Sequence, residues 1–239
     1  MSRAVQDSVF PQESESYTLA MGHGPGAGSN LLTLGWPEGK MPGQLSALTG
    51  PKGILGLYPW LLAPALLAGE RIFVADGGNS FNPYDFSEIA AHAGCPPGEL
   101  LRRIQISRAF TCHQMLALVR RLARFARRAR VRVIILLGLL ESYYDETVPV
   151  CEASRTWQAT LNLLRCMVGE GFLILAVCPD HSMESKRALR RFLVGVAERA
   201  VDCRRGGDGF WRLRLIKPGV GERDAPTGFG VLGAVWKVG

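Results

Sequence analysis

The chain has 239 residues, 47% of them hydrophobic and 21% charged, with a formal net charge of +7. That length and balance suit one globular domain with a complete core and exclude a disordered or collagen-like chain. The six cysteines are scattered with no C-x-x-C pair, which argues against a zinc site or a disulfide framework and for the reducing cytoplasm.

Residues 1–40 are polar and then rich in Gly and Pro (GHGPGAGS at 22–29), a flexible lead-in to a core domain at 41–239. Within the lead-in, 31–36 is apolar enough to dock as an edge strand. No basic stretch followed by an apolar run opens the chain, so no leader peptide is expected. A strand is expected at 44–48, a loop at 50–56 and an apolar helix at 58–67. A strand at 71–75 and a helix at 84–92 follow, then a strand at 104–107 and an amphipathic helix at 113–129. The continuous apolar run 131–137 has the character of a strand buried on both faces. A helix at 153–168, a buried strand at 172–177 and a helix at 186–198 come next, and two β-like segments, 211–216 and 231–238, close the chain as an antiparallel pair. Alternating β and α elements imply an α/β fold with a mainly parallel sheet between helical layers. The apolar stretches 54–67 and 133–140 are shorter than a membrane span, so no membrane partner is expected.

Two phrases carry chemistry. The first is RIFVADGGNSFNP (71–83), a strand ending in Asp76 and a glycine-rich turn. The second is SRAFTCHQ (107–114). Together they resemble the core of the RecA/RadA recombinase family, in which the matching turn reads like E-G-T-F-R-P and the second phrase like R-A-(F/Y)-x-x-x-H-Q. The likeness extends over about 41–217 and includes RAVDCRR (199–205) with FWRLRLIK (210–217), similar to that family's late strand segments. It implies a RecA-like three-layer αβα fold with a C-terminal antiparallel extension. No F-x-x-A polymerisation motif is recognised, so filaments of the usual kind are not expected. A second resemblance is to ImuA, the RecA-like accessory protein of mutagenic translesion synthesis.

Against this family the catalytic residues are missing. A phosphate-binding loop requires G-x-x-x-x-G-K-[ST], whose amides cradle phosphates while the lysine and hydroxyl serve phosphate and magnesium. The matching place reads Gly50-Pro51-Lys52-Gly53-Ile54-Leu55-Gly56-Leu57, which supplies no Gly-Lys-Ser/Thr in either register. Lys52 reads as a solvated loop lysine that could swing toward a phosphate. Gly78 stands where the resemblance places the catalytic glutamate, and Gly138 where it places the metal-holding aspartate. Glu141, three residues on, is too far along the chain to substitute without remodelling. Asp180-His181 ends the last buried strand as an ordinary loop pair. Losing lysine, hydroxyl and both acids removes the electrostatic stabilisation on which phosphoryl transfer depends. The chain is therefore expected to be a pseudo-ATPase with no required cofactor, neither ATP nor magnesium. A degenerate nucleotide site is expected at Gly50, Lys52, Gly53, Gly56 and Asp76, its cleft open to weak binding or filled by Tyr58, Trp60 and neighbouring leucines. The enzyme alternative is a divergent ATPase using Lys52 with Glu141 or Asp76.

Basic residues cluster twice. The helix at 113–129 carries Arg120, Arg121, Arg124, Arg127 and Arg128, with Met115, Leu118, Leu122 and Phe125 as its inner face. Lys186, Arg187, Arg190 and Arg191 follow the last buried strand, where the resemblance implies a DNA-binding loop. Arg120 and Arg124, with this second group, are the candidate single-stranded DNA contacts. The other reading of the arginine stripe is a solvated face or a surface for an acidic partner. The loop after Tyr144 is acidic and suits phosphates poorly; Tyr143 and Tyr144 could stack bases, although the resemblance makes at least one of them core. The resemblance implies a recombinase or another DNA-repair protein as partner. The remaining alternative is an interaction module with no DNA role.

Overall fold

A computed structural model describes residues 43–143, 148–180, 184–206 and 211–217, with the side chains of 184–187 excepted. The lead-in with its strand at 31–36, Tyr144, His181 and the closing segment 231–238 lie outside the described residues.

Seven strands form one sheet: β1 (Gln44–Gly50), β2 (Ile72–Asp76), β3 (Ile104–Arg108), β4 (Val133–Leu137), β5 (Leu173–Pro179), β6 (Arg199–Arg205) and β7 (Trp211–Lys217). Their spatial order is β3-β2-β4-β5-β1-β6-β7. All neighbours are parallel except β6 and β7. Among the described residues β7 pairs antiparallel with β6, the strand contained in the phrase 199–205. On one face lie α1 (Ile54–Leu67), α2 (Pro83–His92) and α3 (Pro97–Leu101); on the other lie α4 (Cys112–Ala129), α5 (Val150–Gly169) and α6 (Glu184–Val196). The result is the three-layer αβα sandwich with a mainly parallel sheet and an antiparallel extension.

The β4 run Val-Ile-Ile-Leu-Leu is buried throughout, because alternate side chains enter the two different cores that flank the sheet. In α4, Met115, Leu118, Val119, Leu122, Ala123 and Ala126 make the inner stripe. Phe125, expected there, is instead 50% exposed. At 100° per residue it sits off the stripe centre, and Ala126 takes the inner position. Two caps are local and strong. Asn82 Oδ1 accepts the Tyr84 N–H (3.2 Å) with Pro83 in the first turn of α2. Thr111 Oγ1 accepts the Gln114 N–H (3.2 Å) while Gln114 Oε1 accepts the Phe110 N–H (2.8 Å), a reciprocal box that opens α4.

Tyr143 is a core residue. It is buried edge-on to Trp157 at 5.0 Å, and its hydroxyl meets Thr160 Oγ1 at 2.6 Å. No described helix is long and apolar enough to cross a membrane.

All six cysteines are free thiols. Cys151 and Cys166 are exposed and Cys95 is half-buried, while Cys112, Cys178 and Cys203 are buried. Burial pushes the Cys178 thiol up to about 12, opposed only in part by the nearby Arg190 cation. A maleimide added to the native protein is expected to modify Cys151 and Cys166 first, and Cys112, Cys178 and Cys203 only on unfolding. Rapid native labelling of Cys203, read by peptide mass spectrometry, would contradict the packing of β6 between β1 and β7.

Candidate functional site

In a parallel sheet, ligands gather at the carboxyl ends of the strands, where connections leave toward opposite faces. β1 leads to α1 on one face and its neighbour β5 to α6 on the other; β2 and β4 diverge in the same way. The rim at these four strand ends is therefore the place to test the expected nucleotide site.

The turn after β1 is only three residues long, Pro51 to Gly53, so α1 starts earlier than expected and Gly56 lies within it. The Ile54 N–H donates to Pro51 O (3.0 Å), Leu55 N–H to Lys52 O (3.1 Å) and Gly56 N–H to Gly53 O (3.0 Å). Helix N-termini bind anions because their first amides lack partners. Here three of those amides are already consumed by a tight 3₁₀-like turn. Above the turn, the buried Trp211 ring of β7 lies where a Gly53 side chain would point, 2.9 Å from an ideal Cβ. The same holds on the other side of Gly50, whose ideal Cβ would lie 2.3 Å from Cys203 O. The expected fillers sit elsewhere: Tyr58 packs edge-on to Phe86 and Trp60 edge-on to His92, both facing α2. Lys52 is exposed and makes no ion pair or hydrogen bond among the described residues.

Gly50, Lys52, Gly53 and Gly56 thus lie together along the end of β1, its turn and the first turn of α1, but Asp76 does not join them. Two strands separate β2 from β1, which puts Asp76 three strand spacings, about 14 Å, away. Its carboxylate is fully buried and occupied. Oδ1 accepts the Gly78 and Ser80 N–H groups (3.2 and 2.9 Å), Oδ2 accepts the Phe81 N–H (3.0 Å), and Arg108 Nε lies 3.8 Å away. The Asp76 carbonyl accepts the Ala109 N–H at 3.1 Å. Asp76 is the organiser of the 77–82 turn rather than a ligand-binding acid, and it joins the two phrases that carried the resemblance.

The turns after β2 and β4 cross with backbone against backbone. Gly77 N–H donates to Leu137 O at 2.7 Å. An ideal Cβ on Gly77 would lie 2.6 Å from Gly138 O, and one on Gly138 would lie 2.4 Å from Gly78 N. Gly138 also has φ +56°, a conformation that L side chains rarely adopt. The two positions where acids were missing, 78 and 138, are thus adjacent glycines in one contact. Glu141, expected to be too far along the chain to stand in at position 138, lies beside Gly78. The Glu141 N–H donates to Gly138 O (3.1 Å) in a 3₁₀ turn, Glu141–Tyr143, that folds the side chain back to 3.4 Å from the ideal Cβ of Gly78. Glu141 Cγ therefore lies beside Gly78, and no cluster of three metal-ligating acids, histidines or cysteines occurs among the described residues.

Asp180, in the loop directly after β5, is a charged hub. Its N–H donates to Gly50 O (2.6 Å), and its carboxylate accepts Arg190 Nη1 and, at 2.8 Å, Arg204 Nη1. Arg204 also grips Asp202 with two nitrogens (2.9 and 3.0 Å), and Thr49 Oγ1 donates to the same acid at 3.3 Å. The network links β1, β5, α6 and β6 across the rim. Exposed ion pairs contribute about 0.2–1 kcal/mol each, so the network fixes geometry more than it stabilises.

Of the expected DNA contacts, Arg120 and Arg124 are exposed on α4, while Arg190 is half-buried and paired with Asp180. Arg191 is exposed on α6; Lys186 and Arg187 belong to the same helix, with side chains outside the described set. The sequence analysis missed Trp211 and Arg204 at the rim; neither has a local signal, since both arrive from the antiparallel extension. A cavity of about 330 Å³ opens at the opposite end of the sheet, between Arg71, Arg102, Gln105 and Val131.

No protein-family model matches this chain, and no curated protein matches it either.

The glycine crossing generates a stability order. Gly138→Asp and Gly138→Ala are each expected to cost about 3 kcal/mol or more, from a forbidden φ together with a clash on backbone. Gly78→Ala is expected to cost about 1 kcal/mol, because its nearest neighbour is the movable Ser80 hydroxyl. Denaturant melts of the three variants decide; wild-type stability in Gly138→Asp would refute the crossing.

Proposed function

We propose that this chain is a RecA/RadA-like paralogue without ATPase activity, acting in homologous recombination or DNA repair by docking on a recombinase or another repair protein. The observation that carries the loss of activity is the contact of Gly77–Gly78 with Gly138. The acid needed to hold magnesium would have to project from position 138, where the crossing leaves no room for a side chain. The consumed amides after β1 support the same reading, since a phosphate would find few free donors there. In this reading the rim has become a structural joint, held by Asp76 and Asp180, and neither ATP nor magnesium is a cofactor. The free thiols suit the cytoplasm. The basic helices supply contact with DNA.

One observation favours the divergent-ATPase alternative: the Lys52 side chain is exposed with no partner among the described residues, and Glu141 Cγ lies beside Gly78. Those two residues follow β1 and β4, two strand spacings apart, about 10 Å. Steady-state hydrolysis separates the readings. The purified chain with magnesium and single-stranded DNA is expected to hydrolyse ATP no faster than buffer, with Lys52→Ala and Glu141→Gln indistinguishable from it. Hydrolysis that both substitutions abolish would establish the divergent enzyme instead.

A further inference from the structure

We propose that the outer face of α4 and α5 binds the phosphate backbone of double-stranded nucleic acid without reading its sequence. This rests on the nucleic-acid part of the proposed function and not on the loss of ATPase activity.

The fold sorts charge by layer. On one side of the sheet, α4 holds five arginines and no acid, α5 two arginines and one glutamate, and α6 four cations and one glutamate. On the other side, α1 is uncharged and α2 and α3 together hold three acids and no lysine or arginine. The two basic clusters, some sixty residues apart in the chain, are thereby brought to one layer with α5 joining them. Solvated faces ordinarily mix both signs; a single-sign layer is the electrostatic footprint of a polyanion site.

The counter-charges beside α4 are already taken. Glu170 accepts Arg127 Nε and Nη2 at 2.6 and 2.5 Å, and Glu152 meets His113 Nε2 at 3.0 Å. Those pairs turn the His113–Arg127 flank of α4 toward α5. Arg120, Arg121, Arg124 and Arg128 on α4 and Arg155 and Arg165 on α5 are exposed and have no ion pair or hydrogen bond among the described residues. Arg120, Arg124 and Arg128 form a row with a rise of about 6 Å per step. Arginine is the side chain whose fork matches a phosphate in two hydrogen bonds.

Single strands are held in grooves lined by stacking aromatics. The exposed described aromatics beside this layer are Phe110 just before α4, Phe125 near the far end of α4 and Phe192 on α6, so the described residues set no two of them on one turn of a helix as a stacking platform. Phosphates alone are then the ligand, and a duplex presents them at the highest density, one charge per about 1.7 Å.

The test is fluorescence anisotropy of the full chain with a labelled duplex and with a single strand of equal length, from about 50 to 200 mM salt. Binding to the duplex is expected to be the tighter. Replacing Arg121, Arg124 and Arg128 together by Gln should flatten the slope of log affinity against log salt by about 3, and Arg124→Gln alone by about 1, with melting temperature unchanged. Arg71→Gln with Arg102→Gln, at the far end of the sheet, should leave the slope unaltered. Absence of duplex binding at the lowest salt, tighter binding to the single strand, or equal loss in the control variant would each overturn the proposal. Competition by polyglutamate as strong as by duplex would also overturn it, in favour of an acidic protein partner. ATP hydrolysis by a chain that still binds duplex through α4 would remove the pseudo-ATPase reading and leave this one standing.

Discussion

Three backbone amides and an arginine share the buried carboxylate of Asp76, and the rest of the rim follows from that arrangement. An ionised acid without exposure is tolerated only when its oxygens are satisfied, and here the 77–82 turn has to wrap around them. Wrapped in that way, the turn brings Gly77 and Gly78 onto the turn after β4. The Asp76 carbonyl also takes the Ala109 amide, which directs the chain from β3 into the Thr111–Gln114 cap of α4. One side chain thus sets the relation of three connections at the same end of the sheet. The glycines at 77 and 138 are a condition of this crossing, because a Cβ at either would meet backbone.

Electrostatics divides the molecule into two regimes. At the rim, Asp180 and Asp202 hold Arg190 and Arg204 in fixed pairs, so these two cations already have internal anions. On α4 and α5 the reverse holds, with most arginines left unpaired and both neighbouring carboxylates in use. Charge that is spent on internal geometry at one place remains available for an external polyanion at the other. At Arg199, burial pulls the guanidinium down to about 10.

Much of the fold was legible because it rests on period and burial. The apolar runs of β2, β4 and β5 and the arginine-backed stripe of α4 announce strands buried on both faces and an amphipathic helix. Boundaries set by hydrogen bonds between loop atoms were not legible. The start of α1 depends on carbonyls of Pro51, Lys52 and Gly53 turning inward, and Phe125 left the core because a neighbouring alanine lies nearer the stripe centre. The candidate site was half legible. A turn was recognisable after Gly50, although it ends at Gly53 rather than Gly56, and the absence of a G-K-[ST] sequence there was readable directly. The occupation of Asp76 by its own loop, the position of Glu141 beside Gly78 and the cover supplied by Trp211 are tertiary facts with no local signature.

The central claim is that the rim has become a structural joint and no longer receives a nucleotide. Isothermal titration of magnesium-ATP into the purified chain, with Lys52→Ala beside it, tests this most directly. The account predicts no heat of binding at millimolar ATP for either protein. Saturable binding to the wild type that is lost in Lys52→Ala would contradict it, and would mean that the turn after β1 opens to admit phosphates.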